Sequence, residues 1–156
     1  MSLLGDRHRN LTRTEEGLIK KVFKHTSLPP LSQIKITNGE SPTGTAITIP
    51  LDDNYFLNLG QRLYYSDVSH MDPRTLVHEM THVWQAQKLG PWYLPLCRPF
   101  SRRYDYELKP GWPLESYGIE QQAEIVRHAF LLRNGAELAG APAVMAYESI
   151  LPFEAE

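Results

Sequence analysis

The chain of 156 residues has the length of one domain with a single hydrophobic core. Its hydrophobic content of 42%, charged content of 22% and formal net charge of -2 are ordinary for a globular protein and do not indicate nucleic-acid binding. No apolar run reaches the roughly 18 residues of a membrane span, and the single Cys97 excludes an intrachain disulfide and a multi-cysteine zinc site.

The N-terminal segment predicts a flexible arm over residues 1–11, because it is polar and basic. It has no apolar stretch of the kind found in secretory signal peptides, so we expect the protein to be cytoplasmic as made. A helix should follow, from Thr12 or Thr14 to about Lys24, since apolar residues recur there at helical spacing and two glutamates favour its first turn.

The next part of the chain predicts a small sheet. Isoleucines alternate with polar or small residues over 33–37 and 46–50, which indicates two half-buried strands. Residues 54–65 are a third β-rich segment, with a hairpin or bulge expected around residues 58–60. We place a single domain at residues 12–150 and a tail at 151–156.

A longer helix is predicted from about Pro73 to Lys88. Asp72 is a good N-cap, and proline is tolerated at the first helical position. Apolar residues give the helix a buried face, and Gly90 with the following proline ends it.

This helix contains the pattern His-Glu-x-x-His at His78, Glu79 and His82. Residues four apart lie on one face of a helix, so the two imidazoles can bind one metal ion with the glutamate beside it. The pattern is the zinc metalloprotease signature, in which the histidines are ligands and the glutamate is the general base. The alternative is an ordinary amphipathic helix whose histidines fall four apart by chance.

A proline- and aromatic-rich segment follows at residues 89–116. It is too aromatic for a disordered linker, and long loops inside compact domains are usually functional or disordered. We expect the part from Pro91 to Pro113 to border the site and restrict substrate. The alternative is that it only covers one side of the core.

The second main helix is predicted over residues 116–133, with a short helix around 143–150 after it. Two histidine ligands favour a carboxylate as the third ligand of a zinc site with one open position. Glu120 and Glu124 are one turn apart on one face. One can bind the metal, and the other can accept a hydrogen bond from the ring N–H of a ligand histidine, which fixes its tautomer.

The order of these motifs resembles the gluzincin branch of the zincin metallopeptidases. The segments that carry the resemblance are His78-Glu79-x-x-His82, His82-Val83-Trp84-Gln85 and Glu120-Gln121-Gln122-Ala123-Glu124. They are similar to the small metallopeptidase-like domains of bacterial polymorphic toxins and of contractile-injection (type VI secretion) cargo. The resemblance covers two helices and their order. It implies an α+β, zincin-like fold with a small N-terminal β-sheet, the HExxH helix and a second ligand-bearing helix.

The resemblance also implies a role for each matching residue. His78, His82 and Glu120 would bind one Zn2+, Glu124 would support a ligand, and Glu79 would be the catalytic base. The activity implied is zinc-dependent hydrolysis of an amide bond in a peptide or protein, in a toxin or effector exported by a specialised secretion system. Protein, peptide and peptidoglycan stem peptide all stay open as substrates.

Two questions stay open in the sequence. The developing oxyanion needs a further hydrogen-bond donor, and spacing does not choose among the candidates Tyr104, Tyr106, Tyr117, His128, His70 and Arg127. The alternative function is a binding module, catalytically weak or inactive, that keeps a zinc-stabilised fold. The intact Glu79 favours the peptidase, because a structural zinc site does not need that carboxylate.

Overall fold

The computed structural model describes residues 4–24, 28–90, 93 and 103–153. The predicted α+β class is confirmed, with a four-stranded sheet in the first part of the chain. The strands are β1 (His8–Asn10), β2 (Ile34–Thr37), β3 (Ile47–Leu51) and β4 (Asn54–Asn58). The helices are α1 (Arg13–Val22), α2 (Gly60–Tyr64), α3 (Val68–Met71), α4 (Pro73–Leu89), α5 (Ile119–Arg133) and α6 (Val144–Glu148). None of these described helices is both long enough and apolar enough to pass through a bilayer.

The sheet is mixed and has the strand order β1-β2-β4-β3. β2 and β4 are parallel, while β1 and β3 pair antiparallel at the two edges. Ile34 and Ile36 of β2 are fully buried, as the alternation predicts. In β3 the pattern is reversed, because Thr48 is buried and the isoleucines on either side are only half-buried.

The N-terminal segment differs from the predicted flexible arm. Within residues 1–11, His8–Asn10 form β1 and pair with β2, while residues 1–3 lie outside the described part. The three residues of β1 are all polar, so they show no alternation of apolar and polar side chains. Their pairing at the sheet edge uses the backbone and therefore leaves no pattern in the sequence. Of the two predicted starts of α1, Thr12 is the N-cap: its side chain accepts a hydrogen bond from the backbone N–H of Glu15 in a capping box. The helix ends at Val22, slightly before the predicted Lys24.

The third β-rich segment is shorter than predicted. β4 ends at Asn58, and α2 begins at Gly60, which has a φ of 84°. Glycine adopts this left-handed conformation without a steric penalty, so the chain turns into a helix here rather than forming a hairpin. Tyr64 and Tyr65, predicted near the end of a strand, therefore lie at the C-terminal end of α2.

The HExxH helix α4 lies between α5 on one side and β3 on the other. Asp72 is its N-cap and accepts from the backbone N–H of Thr75 at 3.3 Å, and Gly90 caps its C-terminus, as predicted. Contact on two sides buries polar as well as apolar residues of α4. Downstream, Phe153 in the predicted tail is buried against other aromatic rings, whereas residues 154–156 lie outside the described part.

A buried carboxylate fastens α1 to the rest of the fold. Glu15 is fully buried and accepts two hydrogen bonds from the Arg9 guanidinium of β1, at 2.8 and 3.0 Å. It also accepts from the backbone N–H groups of Thr12 and Val68, at 2.8 and 2.7 Å. One side chain thus joins β1, the start of α1 and the start of α3.

Glu15→Ala should lower the free energy of unfolding by on the order of 3 kcal/mol, because it leaves Arg9 without its buried partner. Urea unfolding followed by circular dichroism measures this change. Glu16→Ala, which removes the same charge from the same helical turn, should cost less than about 1 kcal/mol. Equal losses in the two variants would contradict the role given to Glu15.

Candidate metal centre

The two histidines of α4 point to one place. The ring centroids of His78 and His82 are 5.1 Å apart, as the four-residue spacing on a helix requires. A ring nitrogen of His78, a ring nitrogen of His82 and a carboxylate oxygen of Glu79 all lie within 4.8 Å of one another. His82 is buried, whereas His78 keeps part of its side chain accessible. The site is therefore reached from the His78 side.

Glu120 of α5 brings its carboxylate to both imidazoles. Its Oε2 lies 3.3 Å from His78 Nε2, and its Oε1 lies 3.0 Å from His82 Nε2. Burial by itself would raise the pKa of Glu120, but its contacts with His78 and His82 outweigh burial and lower the pKa well below its ordinary value. Burial likewise would lower the pKa of His78, but the hydrogen bond to Glu120 and the neighbouring carboxylates raise it. The carboxylate is thus held ionised between two nitrogens.

These three side chains fit a zinc ion. Two imidazole nitrogens and one carboxylate are a ligand set of catalytic zinc sites, which keep a further position open. His82 Nε2 is buried and makes no hydrogen bond of acceptable geometry with the described residues, although Glu120 Oε1 is 3.0 Å away. A buried nitrogen facing a carboxylate without such a bond is the arrangement that a cation between them would satisfy.

Glu79 occupies a different position from Glu120. Its side chain is buried, and the Thr48 hydroxyl donates to its Oε2 at 2.5 Å. The same hydroxyl oxygen is 3.1 Å from the backbone carbonyl of Glu79. Thr48 thus holds Glu79 from the sheet side, whereas Glu120 reaches the histidines from α5, and an oxygen of Glu79 stays within 4.8 Å of the two histidine nitrogens.

Two glutamines, to which the sequence analysis gave no role although they stand in the segments that carry the resemblance, complete the polar core. Gln85 Oε1 lies 2.8 Å from His82 Nδ1, and Gln85 Nε2 donates to the backbone carbonyl of Ile119 and to Gln122 Oε1, both at 3.0 Å. Gln122 Nε2 donates to the carbonyl of Tyr117 at 2.8 Å. The spacing could have indicated this contact, because residues three apart on a helix are neighbours and Gln85 is a polar residue three positions after His82.

Glu124, predicted to support a ligand histidine, accepts instead from Arg127 Nε at 2.5 Å. The ring N–H position of His82 is taken by Gln85. Toward His78 the structure shows only that the negative charge of Glu124 helps to raise its pKa. The supporting role of Glu124 stays a prediction.

The residues predicted as possible hydrogen-bond donors to the oxyanion lie in different environments. Tyr104 is half-exposed, and its ring stacks on His78 with centroids 6.1 Å apart. Tyr106 bonds to His128 Nδ1 at 2.5 Å and to the Tyr147 hydroxyl at 2.7 Å. The remaining candidates have other surroundings: the Tyr117 hydroxyl accepts from the backbone N–H of Lys109, His70 is exposed on α3, and Arg127 pairs with Glu124.

A cavity of about 800 Å³ is lined by neighbours of the candidate centre, although the two histidines, Glu79 and Glu120 are not among its lining residues. Its walls include Tyr104, which stacks on His78, and Glu124, one turn from Glu120. Residues 91, 92 and 94–102 of the predicted loop lie outside the described part of the chain. Tyr104, within the same loop, stacks on His78 and so borders the site, while restriction of substrate by the loop stays a prediction.

The solved effector domain of Pseudomonas aeruginosa VgrG2b matches this structure with a TM-score of 0.63 and 30% sequence identity, over 83% of this chain and 77% of that one. The chain belongs to the VgrG2b effector-domain family. The sequence of the type VI secretion system spike protein VgrG2b of P. aeruginosa strain PAO1 is 42% identical in an alignment 64 residues long, and the match covers 37% of this chain. The matched stretch is only 6% of that spike protein. No protein-family model matches the chain.

The pKa of His128 lies below its ordinary value because burial and the Arg127 guanidinium disfavour the charged ring, although Glu124 opposes them. His128 is therefore neutral in the folded protein at neutral pH and binds a proton more readily when the chain unfolds. Below about pH 6.5 its contribution to stability should decline as the pH falls.

Unfolding in urea at about pH 7 and about pH 5 tests this effect in the parent and in His128→Gln. The free energy of unfolding of the parent should fall more between the two pH values than that of the variant. Parallel losses, or an NMR titration midpoint for His128 above its ordinary value, would contradict the assignment.

Proposed function

We propose that the chain is a zinc-dependent peptidase of the effector type. In this proposal His78, His82 and Glu120 bind one zinc ion, and Glu79 is the general base. The observation that carries it is the buried His82 Nε2, which faces the ionised Glu120 at 3.0 Å without a hydrogen bond of acceptable geometry, with His78 Nε2 on the other carboxylate oxygen. Three ligand atoms arranged around one point in this way favour a bound cation.

The choice of ligand and base follows from the two carboxylates. Glu120 has both oxygens within 3.3 Å of an imidazole nitrogen, as expected of a ligand. Glu79 follows His78 on the helix and is rotated about 100° from it, so its side chain leaves the helix in another direction. The Thr48 hydroxyl holds one oxygen of Glu79, which leaves the other to accept a proton.

The reaction that these groups support is hydrolysis of an amide bond. When bound, zinc supplies Lewis-acid chemistry, which lowers the pKa of water toward about 7 and polarises a carbonyl. Glu79 takes the proton from the attacking water and later delivers it to the leaving amine. Tyr104 is the candidate best placed to donate to the developing oxyanion, because its ring lies against His78.

The sheet offers a place for an extended peptide beside these groups. β3 is at the edge of the sheet and, among the described strands, pairs only with β4. Thr48 of this strand contacts Glu79 directly. A substrate that adds to β3 as a further strand would use main-chain hydrogen bonds and pass close to the base.

Membership of the VgrG2b effector-domain family supports delivery as part of a type VI secretion system. The alternative of an inactive zinc-stabilised binding module predicts the same ligands but gives no role to the buried contact between Thr48 and Glu79. Whether the substrate is a protein, a peptide or a peptidoglycan stem peptide is best decided by screening peptide libraries.

His78→Ala and Glu120→Ala should each lose zinc, because each removes one of three ligands. The loss in affinity should exceed the roughly 10–100-fold effect of removing a supporting residue. Native mass spectrometry and a competition titration measure stoichiometry and affinity, with Glu124→Ala as the comparison. Zinc lost from Glu124→Ala but kept by Glu120→Ala would mean that ligand and supporting residue are reversed.

Glu79→Gln keeps the size of the side chain and removes the proton acceptor. The variant should fold and bind zinc like the parent, while turnover of a cleavable peptide should fall by about 10²–10⁴-fold. Both quantities are measured on the same sample. Equal cleavage by parent and variant would assign the base elsewhere, and a parent that binds zinc but cleaves no peptide would favour the binding module.

A further inference from the structure

We infer that Gln85 is a positioning residue that fixes His82 as a ligand through Nε2 and ties it to the backbone beside Glu120. This inference deepens the proposed function, and the part of it that concerns metal binding rests on that function. The residues involved are buried: His82 and Gln85 are each 1% exposed. Water therefore does not compete strongly for their hydrogen bonds.

A backbone carbonyl determines which end of the Gln85 side-chain amide is the nitrogen and which is the oxygen. The oxygen of Ile119 can only accept, so the side-chain atom 3.0 Å from it must be the Gln85 nitrogen. The amide oxygen of Gln85 then faces His82 Nδ1 at 2.8 Å. An amide oxygen also only accepts, and therefore His82 Nδ1 must carry the proton.

A second carbonyl supports the same direction. The oxygen of Tyr117 accepts from Gln122 Nε2 at 2.8 Å, so the amide oxygen of Gln122 points to Gln85. Gln85 Nε2 donates to it at 3.0 Å, in addition to its bond to Ile119. Both N–H groups of the Gln85 amide have acceptors, and reversing either glutamine would bring two donors or two acceptors together.

The tautomer decides which nitrogen can bind a metal. A neutral imidazole carries one proton, so a proton on Nδ1 leaves a lone pair on Nε2. Nε2 is the atom that faces Glu120 Oε1 at 3.0 Å. Ile119, which accepts from the other end of Gln85, precedes Glu120 in the chain, so Gln85 also ties the ligand-bearing part of α4 to the start of α5.

The tautomer can be read directly in the parent protein. Long-range ¹H–¹⁵N spectra of histidine-labelled, zinc-free protein, recorded where the His82 shifts show a neutral ring, should place the proton on Nδ1. A proton on Nε2 would overturn the inference. This result does not depend on metal binding. A parent that has the Nδ1 proton but binds no zinc would support the inference while refuting the proposed function.

Zinc affinity tests the positioning effect. Gln85→Leu should raise the Kd for Zn2+ by about 10–100-fold, the usual effect of losing a residue that supports a ligand. Gln87→Leu is the matched control, because Gln87 is exposed on the same helix and should leave the Kd unchanged. An unchanged Kd in folded Gln85→Leu would overturn the positioning role.

A milder variant covers the case in which Gln85→Leu does not fold. Gln122→Leu removes one of the two acceptors of the Gln85 amide and leaves the bonds to Ile119 and His82 in place. It should raise the Kd less than Gln85→Leu does, yet more than Gln87→Leu. A Kd equal to that of the parent would count against the coupling through Gln85.

Discussion

The burial of α4 on two sides is the constraint on which the rest of the structure depends. The helix lies between α5 and the edge strand β3, so its polar side chains Glu79, His82 and Gln85 are nearly inaccessible to solvent. A buried polar group without a partner costs about 1–3 kcal/mol, and a charged one costs more. Each of these groups therefore needs a hydrogen-bonding or charged partner nearby.

The partners come from both sides of the helix. β3 supplies the Thr48 hydroxyl for Glu79, while α5 supplies Glu120 for the histidines and Gln122 for Gln85. This requirement explains the reversed pattern of β3, where a threonine rather than an isoleucine faces the helix. The contacts that satisfy buried polar groups are thus the contacts that orient the proposed ligands and base. Two buried side-chain nitrogens of the described residues make no hydrogen bond of acceptable geometry, Arg133 Nη2 and His82 Nε2, and the second of these faces the proposed metal position.

A separate network of hydrogen bonds joins β1, α1 and α3. Arg9 in β1 reaches across to Glu15 of α1, and Asp67 at the start of α3 accepts from Thr12. Hydrogen bonds from Ser69, Thr14 and Thr12 outweigh the effect of burial and lower the pKa of Asp67 to about 2. These contacts tie α1 and α3 to each other and to β1 through Arg9, and α3 leads directly into α4.

The sequence by itself determined the α+β class, the position of α4 and the residues that meet at the candidate centre. These features depend on local rules: helical spacing brings His78 and His82 together, an acidic N-cap and a glycine bound α4, and one turn separates Glu120 from Glu124. Only the tertiary structure decided that Glu120 bridges the imidazoles and that Glu124 pairs with Arg127. It also decided that Gln85 contacts His82, that Thr48 contacts Glu79 and that residues 8–10 form a strand. The physical reason is that these outcomes depend on which buried donor meets which acceptor between elements distant in the chain, and local periodicity carries no record of that pairing.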